Sequence, residues 1–247
     1  MIYRTLLTIF LIIYPTLSYA DTTTGLVGHW KLDEVSGTTA YDSSGNGNNG
    51  TLQNTPTWTS GRIGGALVFN GTSSQYVDTP SFTLPSNISF CAWTNPQNIP
   101  NNYKFFIGSD NAATGGGADG IVIANDPTNK FYVAIKNGYM GQTSASAFST
   151  GTWYQICGVG ATANGNTPSM YINGVLQSGT NGSISTGTSG GHFYIGGTPR
   201  AGFYSTAIVD DVRIYNRVLS AADVAQLYNI GKFVFKKGKL GKLKVSF

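Results

Sequence analysis

Two stretches near opposite ends of the sequence hold its densest sets of metal-ligating oxygens. Residues 41–52 read Tyr41-Asp42-Ser43-Ser44-Gly45-Asn46-Gly47-Asn48-Asn49-Gly50-Thr51-Leu52, a glycine-rich loop crowded with carboxylate, amide and hydroxyl groups. Residues 208–217 read as a strand that opens on Asp210 and Asp211. Oxygens of this kind suit a hard cation such as calcium, which takes roughly six to eight of them. If the fold joins the chain ends, one ion can clamp the first strand to the last. Such a site is structural rather than catalytic. The plainer alternative is that Asp42 caps a turn and Asp210 only marks a strand end.

Other chemistry is thinly supplied. Of 11 acidic residues, ten are Asp and Glu34 is the one Glu. Retaining glycoside hydrolysis by a carboxylate pair needs two carboxyl groups ~5–5.5 Å apart. Asp210-Asp211 and Asp33-Glu34 are sequence neighbours, which alternate faces in a strand and so cannot easily meet at one point. His29 and His192 are the two histidines. No Gly-x-Ser-x-Gly elbow, His-Glu-x-x-His helix or phosphate loop occurs. The expectation is therefore a protein that is not an enzyme.

The elements that must position these residues read as strands. Asn-Gly, the strongest short hairpin signal, occurs at 46, 49, 70, 137, 164, 173 and 181. Its clearest setting is Met170-Tyr171-Ile172-Asn173-Gly174-Val175-Leu176. Strand patterns cover 29–32, 66–69, 75–77, 88–94, 104–107, 120–124, 130–136, 154–160, 192–195 and 209–215. Short strands at this spacing predict an all-β sandwich or jelly roll. One helix is predicted after the last strand: Ser220 and Asp223 form a capping box, Val224, Leu227 and Tyr228 share a face, and Gly231 ends it.

Residues 1–20 have the form of a signal peptide: Arg4, the apolar run Leu6–Ile13, and the small-x-small site Ser18-Tyr19-Ala20. The run falls short of the ~20 residues that span a membrane. A secreted or cell-surface protein follows, with no transmembrane span once the leader is cleaved. Export makes a bridge between Cys91 and Cys157 the favoured reading, with two small buried hydrophobes as the alternative.

The formal charge of +4 is misleading. Six lysines lie in the tail 232–247, where there is no acid, and Arg4 lies in the leader. The stretch 21–231 holds eight basic residues against 11 acidic ones, so no nucleic-acid footprint is expected. The tail alternates lysine with Phe233, Phe235, Leu240, Leu243, Val245 and Phe247. It reads as a contact for an anionic surface, an added strand or a disordered end.

Gly28-His29-Trp30-Lys31-Leu32-Asp33-Glu34, Asp42 to Asn48, Gly64 to Gly71, Ile88 to Trp93, Gly151 to Tyr154, Tyr171 to Gly174 and Asp210 to Tyr215 follow in a characteristic order. In these segments the chain from about 25 to 231 resembles the LamG-like jelly-roll domains of the concanavalin A-like lectin/glucanase superfamily. The resemblance implies a two-sheet antiparallel jelly-roll sandwich with adjacent chain ends and one short C-terminal helix. Together with the leader and tail read above, this divides the chain into a leader at 1–20, a jelly roll at 21–231 and a basic tail at 232–247. It also implies that Asp42, Asn46, Asn48 and Asp210 lie near a bound calcium, with Asp211 facing away.

A lectin-type site needs aromatic platforms and polar company. Tyr139, Arg200 and Tyr204 are the ligand-binding candidates. Trp58, Tyr103 and Phe203 are weaker ones, and Phe203 and Tyr204 each have a packing role as the alternative. The expected partner is a glycan, or an extracellular protein, bound without being transformed.

Overall fold

The computed structural model describes residues 21–83, 85–110, 120–135, 141–161, 168–178, 191–199, 202–232, 236–237 and 243–244. The leader, Tyr139 and Arg200 lie outside the described residues. The chain runs through β1 (Leu26–Trp30), β2 (Thr39–Ala40), β3 (Gly50–Gln53), β4 (Thr57–Ser60), β5 (Gly65–Asn70) and β6 (Tyr76–Asp78). Next come β7 (Asn87–Pro96), β8 (Lys104–Asp110), β9 (Ile121–Asn125), β10 (Lys130–Ile135), β11 (Gly141–Ala147) and β12 (Tyr154–Ala161). The hairpin β13 (Ser169–Ile172) and β14 (Val175–Leu176) leads to β15 (His192–Ile195) and β16 (Thr206–Tyr215). Helix α1 (Ala221–Lys232) and the short strands β17 (Lys236–Lys237) and β18 (Leu243–Lys244) follow.

Two antiparallel sheets form the sandwich. One runs β14-β13-β12-β7-β16-β5-β4, with β1 also on β16; the other runs β11-β10-β9-β8-β15-β6-β3-β2. Apolar residues alternate inward along both. Phe69, Phe90, Ile156 and Val209 of the first sheet meet Phe106, Ile123, Phe131 and Val77 of the second in one core. Trp30 stacks on Phe193 across the two sheets, with ring centroids 5.2 Å apart and 19° between planes. Large aromatic side chains supply much of the burial in such a core.

The turn and helix chemistry follows the sequence. Asn173 and Gly174 both take positive φ, 52° and 77°, as a type I′ hairpin requires. At the start of α1, Ser220 Oγ accepts from Asp223 N at 3.1 Å and Asp223 Oδ2 accepts from Ser220 N at 2.8 Å. Gly231 does not end the helix. It lies inside it, buried, where a Cβ would come within 2.4 Å of the Trp93 ring. Its small size, not its flexibility, is what the site uses.

The helix covers the outer face of the first sheet. There Val224 and Leu227 pack with Leu219, Tyr215 and the disulfide Cys91–Cys157. The two cysteines are directly opposed on β7 and β12, with Cα atoms 4.2 Å apart. The chain ends are also joined: β1 pairs with β16, and Arg217 Nη2 donates to Asp21 O at 2.7 Å.

Candidate functional site

The polar loop closes on itself and on β1. Asp42 Oδ1 accepts from His29 N at 2.9 Å and Ser44 N at 2.8 Å, and Oδ2 accepts from Ser44 Oγ at 2.8 Å and Asn48 N at 2.9 Å. Burial acts to raise the Asp42 pKa, but these donors together hold it below the ordinary carboxylate value. Gly45 and Gly47 turn the loop at φ 90° and 75°, a region that favours glycine. Asn46 Nδ2 donates to Leu26 O at 2.9 Å and Val27 O at 3.1 Å, and Asn48 Nδ2 donates to Val27 O at 2.8 Å.

Asp42, Asn46 and Asn48 thus converge beside the carbonyls of Leu26 and Val27. Rotating either amide exchanges its nitrogen for its oxygen at the same place. Such a set of one carboxylate, two amide oxygens and two carbonyls has the hard-oxygen character that calcium takes. It contains a single carboxylate, and among the described residues no cluster of three or more His, Cys, Asp or Glu could hold a metal.

Asp210 has a partner of its own. Its Oδ2 accepts from Ile63 N at 2.7 Å in the turn between β4 and β5, and it shares no hydrogen-bond partner with Asp42. The side chain is fully buried, and Oδ1 has no partner among the described residues. Burial first, then the charges of Asp211 and Asp33, push its pKa up to about 8. Strict alternation would turn Asp211 to the opposite face, but a bulge between Asp210 and Arg213, with Asp211 at φ 46°, breaks it. Asp211 consequently meets His29 Nε2 at 2.8 Å and Arg213 Nη2 at 3.0 Å. Burial opposes ionisation there too, but His29 and Arg213 hold the Asp211 pKa down.

A second constellation lies on the outer face of the second sheet. Val77, Phe193, Ile195, Phe131 and Val133 point into the core. Their strand neighbours Tyr76, Asp78, His192, Tyr194 and Tyr132 therefore fall on the opposite face. A bulge between Phe105 and Ile107 brings Phe105 to that face as well. The rings form a strip. His192 stacks on Tyr194 at 6.1 Å, Tyr194 meets Tyr76 edge-on at 5.6 Å, and Tyr76 stacks on Tyr204 at 6.2 Å. Next to Tyr204, Phe203 stacks on Phe105 at 4.8 Å, and Tyr103 meets Tyr132 at 5.8 Å. At the strip's polar end, His192 Nδ1 and Asp78 Oδ1 are 2.7 Å apart.

Of the ligand-binding candidates, Tyr204 lies in this strip, half-buried. Tyr103 is 39% exposed at its far end. Trp58 does not join it: the ring packs against the core and Nε1 donates to Gly37 O at 3.0 Å. The sequence reading missed Tyr76, Tyr194, Asp78 and His192. One usable signal was Gly196-Gly197, since a Cβ at Gly197 would lie 2.7 Å from Tyr204. Ring faces beside a carboxylate–imidazole pair can take apolar C–H faces and hydroxyl groups of one ligand.

Residues 70–225 match Laminin_G_3, of the concanavalin A-like lectin/glucanases superfamily. The chain belongs to this family. No curated protein matches the sequence. Among solved structures, this Laminin_G_3 chain is similar to the Trypanosoma rangeli sialidase, with TM-score 0.63 and 16% identity over 83% of this chain and 33% of that one. It is similar to domain 4 of AbnA, a GH43 extracellular arabinanase from Geobacillus stearothermophilus, solved in complex with arabinotriose. That match has TM-score 0.59 and 22% identity, over 83% of this chain and 98% of the domain. It is also similar to the binding domain of Paraclostridial Mosquitocidal Protein 1, with TM-score 0.63 and 16% identity over 85% and 53%. At these identities the likeness is one of fold, and the chain spans about a third of the sialidases' length.

The comparisons overturn the expectation that the protein is not an enzyme. That expectation rested on the missing carboxylate pair. The family's superfamily includes glucanases, and the similar structures include sialidases. Sialidases use a tyrosine nucleophile rather than a carboxylate pair, so a shortage of glutamate does not exclude glycosidase chemistry.

Proposed function

We propose that this Laminin_G_3 chain is an extracellular carbohydrate-binding domain whose ligand lies along the strip from His192 to Tyr132. The observation that carries this reading is the run of rings on the outer face of one sheet, in which Tyr76 and Tyr204 are half-buried, Tyr194 is buried between them and exposed His192, and His192 pairs with Asp78. Aromatic faces exclude water over a sugar ring, and the polar pair supplies hydroxyl partners. The fold shared with an arabinotriose-bound domain supports the ligand class. The loop of Asp42, Asn46 and Asn48 takes calcium and steadies β1 rather than the glycan. Export by the leader places the domain outside the cell or on its surface. The basic end of the chain makes a separate contact, with an anionic surface.

Titration of the protein with arabinotriose and a panel of neutral oligosaccharides tests the reading. Saturable binding that Tyr204→Ala weakens supports it. Binding unmoved by Tyr204→Ala and by Asp78→Ala puts the ligand elsewhere.

A further inference from the structure

The polar end of the strip has a chemistry of its own, built by three neighbouring strands. The register sets Asp78 of β6 opposite Thr51 of β3 and Tyr194 of β15, and Tyr76 opposite Gln53. Leu52 packs on the core, so Thr51 and Gln53 fall on the outer face with Asp78 and Tyr76. A carboxylate can only accept, so the 2.7 Å contact is His192 Nδ1 donating to Asp78 Oδ1. In a neutral imidazole this leaves Nε2 as an acceptor. Among the described residues nothing bonds Asp78 Oδ2 or His192 Nε2, and the two side chains are 31% and 49% exposed. The pair therefore offers solvent two acceptors and a carboxylate charge. The described guanidinium groups lie elsewhere: Arg62 over the Trp93 ring, Arg213 on Asp211 and Arg217 on Asp223. Lys104 and Lys130, the lysines of β8 and β10, accompany Tyr103 and Tyr132 at the other end of the strip.

Taking the strip as the glycan site, we infer that its Asp78–His192 end takes a neutral sugar unit by its hydroxyl groups and turns away one that carries a carboxylate. Sugar hydroxyls donate, and two open acceptors beside a ring face suit a pair of them. Thr51 Oγ1 and the Gln53 amide add donors and acceptors for hydroxyls further along β3. A uronate or sialate carboxylate only accepts. It finds no donor in the pair, and it meets a like charge. Carboxylates are recognised best by the paired N–H groups of an arginine fork, and no described arginine reaches this end. Like charges brought together at a binding surface suppress the wrong partner.

The test is calorimetric titration with arabinotriose, maltotriose and cellotriose, at about pH 8, where free imidazole is neutral. Each is run beside the same trisaccharide with its free primary alcohols oxidised to carboxylates. The parent binds the neutral form of at least one pair, and binds the oxidised form on the order of tenfold more weakly. Asp78→Asn keeps an oxygen acceptor and removes the charge. It narrows that ratio, and so does high salt in the parent, because exposed charges are screened. Unchanged intrinsic tryptophan fluorescence confirms that the variant is folded. An oxidised form bound as tightly as the neutral one, or a ratio that Asp78→Asn leaves unchanged, overturns the exclusion and keeps the glycan site. No binding of either form by the folded parent, or binding that Tyr204→Ala does not weaken, overturns the glycan site and the inference with it.

Discussion

The ring of Tyr76 lies over the ring of Tyr204, with centroids 6.2 Å apart and 30° between planes. One comes from β6 and the other from the segment before β16, so the strip exists only once the sandwich has closed. Aromatic pairs contribute about 0.5–1.5 kcal/mol beyond their buried area. A double-mutant cycle on stability, with Tyr76→Ala and Tyr204→Ala, should return a coupling of roughly that size. Strictly additive losses would mean that the rings do not support each other.

The disulfide closes a sequence separation of 66 residues beneath α1. The chain-entropy account assigns such a closure about 4 kcal/mol. Denaturant unfolding of Cys91→Ala/Cys157→Ala should show a midpoint lowered accordingly. An unchanged midpoint would mean that the bridge constrains nothing the strands do not already fix.

The polar loop makes its own prediction. Calcium at about a hundred times its dissociation constant adds ~2.7 kcal/mol to a folded state that alone binds it. The melting temperature should rise with calcium and fall back with chelator, and Asp42→Asn should abolish the difference. Melting curves insensitive to calcium would leave Asp42 as a turn cap and no more.

Asp210 sets a pH dependence. Its pKa rises from 3.8 unfolded to about 8 folded, through burial and the neighbouring Asp211 and Asp33 charges. The folded state therefore holds a proton that the unfolded state releases. The contribution is fully present below pH 3.8 and is lost as pH climbs to about 8. Asp42, Asp211 and Asp223 have lowered values and act in the opposite sense, losing their contribution in acid. Between pH 5 and 8 the parent should thus lose stability while Asp210→Asn stays flatter. Parallel pH profiles would contradict the assignment.

Much of the fold was legible because local chemistry and tertiary structure agree. Asn173-Gly174 demanded a hairpin, and Ser220 and Asp223 a helix start. The site was harder to read. Tyr76 and Tyr194 stand in strands of three and four residues, too short for alternation to show which face is wet. Asp211 faces His29 because of a bulge, and an inserted residue leaves no mark in the sequence. Asp42, Asn46 and Asn48 were found together because one loop carries them. Asp210 was grouped with them from the joining of the chain ends, which the pairing of β1 with β16 makes, while its own partner is Ile63 N.

The central claim is that the outer face of the second sheet binds glycan. Isothermal titration of the folded protein with arabinotriose and other neutral oligosaccharides, repeated on Tyr204→Ala, tests it most directly. The account predicts saturable binding to at least one of them and a loss of about 1–2 kcal/mol in the variant. No binding by the folded parent, or equal binding by the variant, would contradict it.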